Sequence, residues 1–503
     1  MTNPLFDNCF KNHVGKNTPL LHLENKKTLT HSEFLDLAAQ MANAFLAVGL
    51  NPGDRLAIQI DKSEYALAIY VACIQSGIVF LPLNPAYTPN EVSYFLTNSS
   101  ARLMVCESEN EVALREVACK SGSALETLNS DGTGTLGNMA LSMPKVFSTV
   151  PRKRGDLAAI LYTSGTTGRS KGAMLTQENL LSNAETLKNY WKFSNSDVLL
   201  HALPIFHTHG LFVASNVIFM SGGSMIFLPR FDASQLIDLM PQATVLMGVP
   251  TFYTRLIENP QLSVKTTKNM RLFISGSAPL LTETHLKFEK ITGHRILERY
   301  GMTETNMNTS NPYEGERRAG TVGFPLPNIE LKITNPITGE NLANGEIGQI
   351  EVRGSNVFAG YWRMEDKTRE DLRKDGFFIT GDLGLIDADG YVQIVGRNKD
   401  LIISGGYNIY PKEIELILDE QPGVLESAVI GVPNSDFGES VVGCLIPEKG
   451  AVLDLDLIQK AICKSLAKFK HPRKLLILKK LPRNTMGKVQ KNLLRSQFKE
   501  ILS

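Results

Sequence analysis

The sequence predicts an α/β fold: a large composite N-terminal domain of layered α/β subdomains with a small β-rich subdomain, then a small mobile α+β C-terminal domain. Three observations predict it. Helical and strand patterns alternate over the first 150 residues and again from Leu157 to about Gly301, as they do where crossover helices link parallel strands. After Thr321 the pattern turns to short strands with Gly-rich turns, such as Gly348-Gln-Ile-Glu-Val-Arg-Gly354 and Gly390-Tyr-Val-Gln-Ile-Val-Gly396. Beyond Gly396-Arg-Asn-Lys-Asp400 a fresh mix of helices and strands runs to the end, about a hundred residues and enough for a small domain.

The elements follow in order. Thr30-His-Ser-Glu33 has capping-box spacing ahead of apolar residues at Phe34, Leu37, Ala38, Met41 and Phe45, with Gly49 as the stop. A strand is expected over Arg55–Ile60, a helix from about Ser63 to Gln75, and a strand over Val79–Leu83. Asn129 to Met139, rich in Gly, Ser and Asn, reads as a surface loop or insertion. Further strands are expected at Ala158–Tyr162, Val245–Val249 and Arg271–Ser275. The domain boundary falls between residues 397 and 400, giving domains of 1–397 and 400–503.

The 503 residues carry 52 Lys+Arg against 51 Asp+Glu, a net charge of +1. That balance gives no bulk attraction to nucleic acid or to an anionic membrane. No apolar run approaches the length of about 20 residues that spans a bilayer, and Met1–Asn17 lacks the basic start and long apolar stretch of a signal peptide. Six cysteines without a CxxC pair argue against a zinc site or disulfide framework and for a reducing, cytoplasmic setting.

Three glycine-rich segments compete for a function. Gly132-Thr-Gly-Thr-Leu-Gly137 matches GxGxxG, but turn chemistry at Leu128–Asp131 precedes it, where a dinucleotide site needs a strand. Gly168-Arg-Ser-Lys-Gly172 fits GxSxG, yet Ser170 lies deep in a loop rather than at a strand-to-helix elbow. The third is Thr163-Ser-Gly-Thr-Thr-Gly-Arg-Ser-Lys-Gly172, which follows the strand ending at Tyr162 and leads to Thr176, a plausible helix N-cap. Its glycines expose backbone N–H groups, and its hydroxyls and the Lys171 ammonium add donors and charge, which is what a polyphosphate needs.

That loop resembles the signature of the adenylate-forming acyl-CoA synthetases. Further motifs similar to theirs follow in order: Pro204-Ile-Phe-His-Thr-His-Gly210, Ser275-Gly-Ser-Ala-Pro279, Tyr300-Gly-Met-Thr-Glu304, Thr380-Gly-Asp382, Gly396-Arg-Asn-Lys-Asp400 and Pro482-Arg-Asn-Thr-Met-Gly-Lys488. The stretches Leu297–Asn308 and Pro482–Lys491 are similar to the members of the family that activate malonate. The resemblance implies a two-step reaction. ATP and a carboxylic acid give an acyl-adenylate and pyrophosphate, and the thiol of coenzyme A then displaces AMP.

The resemblance also assigns roles. Thr163, Ser164, Gly165, Thr166, Thr167, Gly168 and Lys171 would hold ATP phosphates, with Thr303 near the α-phosphate and Glu304 anchoring Mg²⁺. Gly276, Ser277, Ala278, Pro279 and Tyr300 would pack around adenine, and Asp382 with Arg397 would hold the ribose hydroxyls. Lys488 resembles the lysine of the adenylation step, so its acetylation would silence that step. Lys399 occupies the hinge about which the C-terminal domain would turn. Gly405 and Gly406 would line the coenzyme A tunnel.

Arg299 precedes the Tyr300–Glu304 motif, at a position that lines the acyl pocket in the family. A fatty-acyl pocket would desolvate an unpaired guanidinium at a cost of several kcal/mol, roughly. A second carboxylate on the substrate would remove that cost. Arg299 otherwise points to solvent or pairs with an acid such as Glu298. His207 resembles a further pocket residue, and Ser277 could add a hydrogen bond. The expected substrate is malonate, extending to methylmalonate. Other readings are a short- or medium-chain acyl-CoA synthetase, an adenylation domain loading a carrier protein, a non-catalytic nucleotide sensor and a serine hydrolase.

Overall fold

A computed structural model of the chain describes residues 2–163, 170–404, 407–434, 437–484 and 487–502. It divides into two compact units, one comprising 1–276, 280–330 and 352–378, the other 277–279, 331–351 and 379–503.

The first unit is built on two sheets. In the larger, the strands Leu297–Met302, Leu272–Ser275, Val245–Gly248, Val198–His201, Ser224–Phe227 and Pro19–Leu23 lie side by side and parallel. Antiparallel strands flank them at both ends, Asn306–Ser310 pairing with Leu297–Met302 and Thr28–Thr30 with Pro19–Leu23. The smaller sheet orders Ala124–Thr127, Leu103–Cys106, Arg55–Gln59, Val79–Pro82, Leu157–Thr163 and Lys171–Thr176, parallel except for the last pair. Strands such as Leu103–Cys106 and Val245–Gly248 are buried along their whole length, which explains why they read as continuous apolar runs rather than alternations.

The helix signals act where the sequence places them. Thr30 and Glu33 form a capping box at the head of the helix His31–Ala47. Ser63 caps Glu64–Ser76, and Thr176 caps Gln177–Tyr190 through a box closed by Asn179.

Two expectations are corrected. The segment Asn129–Met139 is not wholly loop: Thr135–Leu141 is a helix, and the strand Ala124–Thr127 ends just before Leu128. The GxGxxG segment therefore does join a strand to a helix. Its glycines are nevertheless filled by the protein itself, because a Cβ on Gly132 would lie 2.4 Å from the Tyr65 ring and one on Gly137 2.0 Å from the Gly132 carbonyl. Secondly, Lys171–Thr176 is a strand paired with Leu157–Thr163, where a loop was expected to run past Lys171. Ser170 thus precedes a strand, and a hydrolase elbow is excluded there.

In the second unit, Phe378–Ile386 and Val392–Arg397 form an antiparallel hairpin within a four-stranded sheet. A five-stranded sheet follows, in which Gly438–Pro447 is the central strand, antiparallel to the edge strand Val424–Asn434 and parallel to Lys474–Ile477. The helices Pro411–Asp419 and Leu455–Ser465 pack on one face around Ile414, Leu418, Val429, Leu445 and Ile462. Leu494 of the helix Lys491–Phe498 joins a separate cluster with Ile430 and Val442. The expected class, α/β with a small C-terminal domain, is the one observed. All six cysteines are free, and among the described residues no helix is long and apolar enough to cross a membrane.

Candidate active site

Arg299 sits at the carboxyl end of the parallel strands of the larger sheet, the edge where open α/β sheets bind ligands. Its strand pairs with Leu272–Ser275, and the guanidinium lies against the turn just beyond Ser275: a Cβ on Gly276 would fall 2.4 Å from Cζ. Only a glycine lets the cation lie so close to the backbone. Arg299 is 3% exposed, and its Nε and Nη2 have no hydrogen-bond partner among the described residues. Burial draws its pKa down to about 9.

Glu298 does not pair with it. Successive residues of a strand face opposite ways, and Glu298 accepts from the buried His285, 3.1 Å away. Arg299 acts instead on two histidines. Burial first and Arg299 second pull His207 down to about 4, and the same causes lower His209, so both imidazoles are neutral. The Tyr253 hydroxyl, also near Arg299, donates to the Ile274 carbonyl at 2.6 Å. Among the described residues, such a pocket offers guanidinium donors with no carboxylate acting on Arg299. It suits a ligand that brings its own negative charge.

A second cluster surrounds Lys171. Its backbone is clamped by residues 359–362: the amides of Met174 and Trp362 donate to the Gly360 and Gly172 carbonyls at 2.9 and 2.7 Å. The Lys171 ammonium lies 4.2 Å from the Tyr361 ring centroid and 3.8 Å from Asp371. The Tyr361 hydroxyl donates to Glu304 at 3.1 Å, and burial beside Glu304 and Asp371 raises its pKa, keeping it a donor. Lys367 holds the other oxygen of Asp371 at 2.9 Å. Sequence reasoning missed Tyr361 and Asp371. The only signal was aromatic clustering over Phe358–Trp362, which says nothing of chemistry.

The other predicted residues of this unit lie nearby in sequence. Thr163 ends its strand with its hydroxyl 3.5 Å from the Lys171 carbonyl. Tyr300 pairs across the sheet with Thr309, and Thr303 is half-buried in the turn before the buried Glu304. Ser164, Gly165, Thr166, Thr167 and Gly168 lie outside the described residues, as do Gly405 and Gly406.

In the second unit, Asp382 and Arg397 face each other across the hairpin and form an ion pair of 2.6 Å. Asp382 is fixed from behind. Its amide donates to the Thr380 hydroxyl at 3.0 Å, and its carbonyl accepts from Gln349 at 2.9 Å. Lys488 follows a turn at Gly487, with φ of 75°, closed by reciprocal bonds between Asn484 and Lys488 of 2.9 Å. Burial draws the Lys488 pKa down to about 8, and Arg397 and Lys399 reinforce this against the opposing pull of Asp382 and Asp400. Lys488, Lys399 and the Asp382–Arg397 pair are therefore within electrostatic reach of one another. Ser277 holds a left-handed φ of 72°; Ser277 and Ala278 are half-buried and Pro279 is exposed.

The chain belongs to the AMP-binding enzymes. The family model matches residues 10–362, and that of the AMP-binding enzyme C-terminal domain matches 413–488. Among curated relatives it is 35% identical to the malonate–CoA ligase of Arabidopsis thaliana over 492 residues, covering 91% of this chain and 80% of that protein. It is 31% identical over 501 residues to the long-chain-fatty-acid–CoA ligase of Bacillus subtilis, covering 92% and 89%. The crystal structure of ATP-bound MatB from Rhodopseudomonas palustris superposes with a TM-score of 0.98 at 53% identity, covering all of both chains.

Proposed function

We propose that this enzyme ligates malonate to coenzyme A through a malonyl-adenylate, with methylmalonate as an extension. The observation that carries the reading is Arg299. A buried guanidinium with unpartnered Nε and Nη2 would leave a monocarboxylate facing an uncompensated cation, whereas a substrate's second carboxylate satisfies it. The likeness to a malonate–CoA ligase and to MatB supports the same substrate.

In the first step a malonate oxygen attacks the α-phosphorus of ATP and pyrophosphate leaves. In the second the coenzyme A sulfur attacks the acyl carbonyl, loses its proton and expels AMP. Lys171 and the loop 163–168 would hold the β- and γ-phosphates, Asp382 and Arg397 the ribose, and Gly276–Pro279 with Tyr300 the adenine. Lys488 would bridge the attacking carboxylate and the α-phosphate, where a compact ammonium offsets the charge that two anions bring together. His207 and Ser277 would line the acyl pocket beside Arg299.

Glu304 fits a Mg²⁺ ligand: it is a buried carboxylate whose hydroxyl partner leaves oxygen lone pairs for a hard cation that also takes phosphate oxygens. Bound Mg²⁺ would neutralise polyphosphate charge. Thr303 beside it would meet the α-phosphate. The boundary between 397 and 400, with Lys399 as hinge, would let the C-terminal domain withdraw Lys488 after adenylation and present Gly405 and Gly406 to pantetheine. Acetylation of Lys488 would block the first step alone, and free cysteines fit a reducing cytoplasm. Pyrophosphate release across malonate, methylmalonate, acetate and octanoate tests the reading. Malonate should lead by at least tenfold; equal rates on octanoate or acetate would refute it.

A further inference from the structure

Lys62 lies in the loop after the strand Arg55–Gln59 of the smaller sheet, outside every motif of the sequence. Its ammonium reaches into the larger sheet. Nζ donates to the His201 carbonyl at 2.7 Å, the Leu228 carbonyl at 2.6 Å and His201 Nδ1 at 2.9 Å, 4.3 Å from the Phe227 ring centroid. Burial alone would drive this amine towards neutrality. Three acceptors use all three N–H bonds, however, and only the ammonium has three to give.

His201 passes the constraint on. With Nδ1 accepting from Lys62, the ring proton is on Nε2, which donates to the Gly210 carbonyl at 2.8 Å, where Ser215 also donates at 2.9 Å. Gly210 is the second residue of a π-helical segment, His209–Ser215, a kind of turn that recurs at functional sites. It is wedged in place, since a Cβ there would lie 2.2 Å from the Pro204 carbonyl. The histidines lowered by Arg299 are the adjoining residues His207 and His209, and His209 is lowered by His201 as well. Lys62 also lines a pocket with Ile60, Asp61, Phe80, Ile205 and Phe206, the last two just ahead of His207. Lys62, His201, His209, His207 and Arg299 thus form one line of cations and neutral imidazoles. No carboxylate is among the groups that shift Lys62, His201 or Arg299.

We propose that Lys62 is a positioning residue for dicarboxylate selectivity, its fixed charge and its hydrogen bonds through His201 setting the His207–Gly210 loop opposite Arg299. The proposal rests on the malonate reading above. A lysine serving only to join two sheets would, when replaced, weaken all acids alike. One that sets this loop and its positive field would weaken the dianion selectively.

The test is kcat/KM for malonate and for propionate, with KM for ATP, in the full-length wild type, Lys62→Met, Lys62→Gln and Lys62→Arg. Lys62→Gln retains two N–H donors and serves if Lys62→Met fails to fold. The expected result is a malonate-to-propionate ratio at least tenfold lower in the neutral variants, recovered to within threefold by Lys62→Arg, with KM for ATP within twofold throughout. If both acids fall equally, or the ratio does not move, the proposal is overturned. A wild type without malonate preference would overturn the substrate reading instead, so the two failures are distinct.

Discussion

Replacing Arg299 with Met removes the cation that the proposed reading sets against the substrate's second carboxylate, and its effect should differ between two substrates. The guanidinium is 3% exposed, has two unpartnered nitrogens and lies against Gly276. Truncating one partner of a buried, hydrogen-bonded charge pair costs about 2–5 kcal/mol. At about 1.4 kcal/mol per tenfold, kcat/KM for malonate should fall about 30- to 3,000-fold. Propionate presents a methyl group where malonate presents an anion, so the variant spares it the desolvated cation. Its kcat/KM should hold or rise. The ligand-free protein should also melt higher, because a buried unpaired charge is gone. The assay is continuous pyrophosphate release at saturating ATP with each acid varied. Parallel losses on both acids, or a malonate loss below tenfold, would refute the reasoning.

Three further outcomes follow from the same geometry. Because Lys488 would have to be an ammonium to bridge two anions as proposed and burial lowers its pKa to about 8, kcat/KM for adenylation should fall as pH rises through about 8; a flat profile to pH 9.5 would contradict this. Stability responds with the reverse sign, since a lysine that binds its proton more weakly in the fold than when unfolded penalises the fold below pH 8 and ceases to between 8 and its ordinary 10.5. Gly276→Ala should displace the Arg299 guanidinium and cost malonate turnover about 10- to 100-fold, the scale of a charged hydrogen bond lost, while a structure of the variant shows Arg299 moved. Tyr361→Phe removes the hydroxyl from Glu304; KM for ATP should rise about 10- to 100-fold, as for one hydrogen bond to a charged group, with KM for malonate unchanged.

Much of this was legible before any coordinates, and the reason is local. The capping boxes at Thr30 and Thr176 and the simple N-cap at Ser63 act within a single turn, and buried parallel strands announce themselves as apolar runs. The burial of Arg299 fits the pocket position that the resemblance implied and not the solvent-facing alternative. What sequence reading missed is tertiary. The strand Lys171–Thr176 carries a lysine and a glycine that weaken any strand signal, and it forms because Leu157–Thr163 and residues 359–361 pair with it on either side. Tyr361 and Asp371 reach Lys171 across nearly two hundred residues. Lys62, in a polar loop, reads as solvated until His201 and Leu228 supply its acceptors. The glycines of Gly132–Gly137 mimic a nucleotide loop because a chain approaching itself needs the same absent Cβ as one approaching a phosphate.

On the proposed reading, a buried guanidinium without hydrogen-bond partners on two nitrogens among the described residues selects a dicarboxylate for transfer to coenzyme A. The most direct measurement offers malonate, propionate and octanoate together at equal concentration with ATP, Mg²⁺ and coenzyme A, and weighs the thioesters by mass spectrometry. Malonyl-CoA should be the dominant product from the wild type and should be lost from the Arg299→Met variant. Predominance of propionyl- or octanoyl-CoA from the wild type would contradict it.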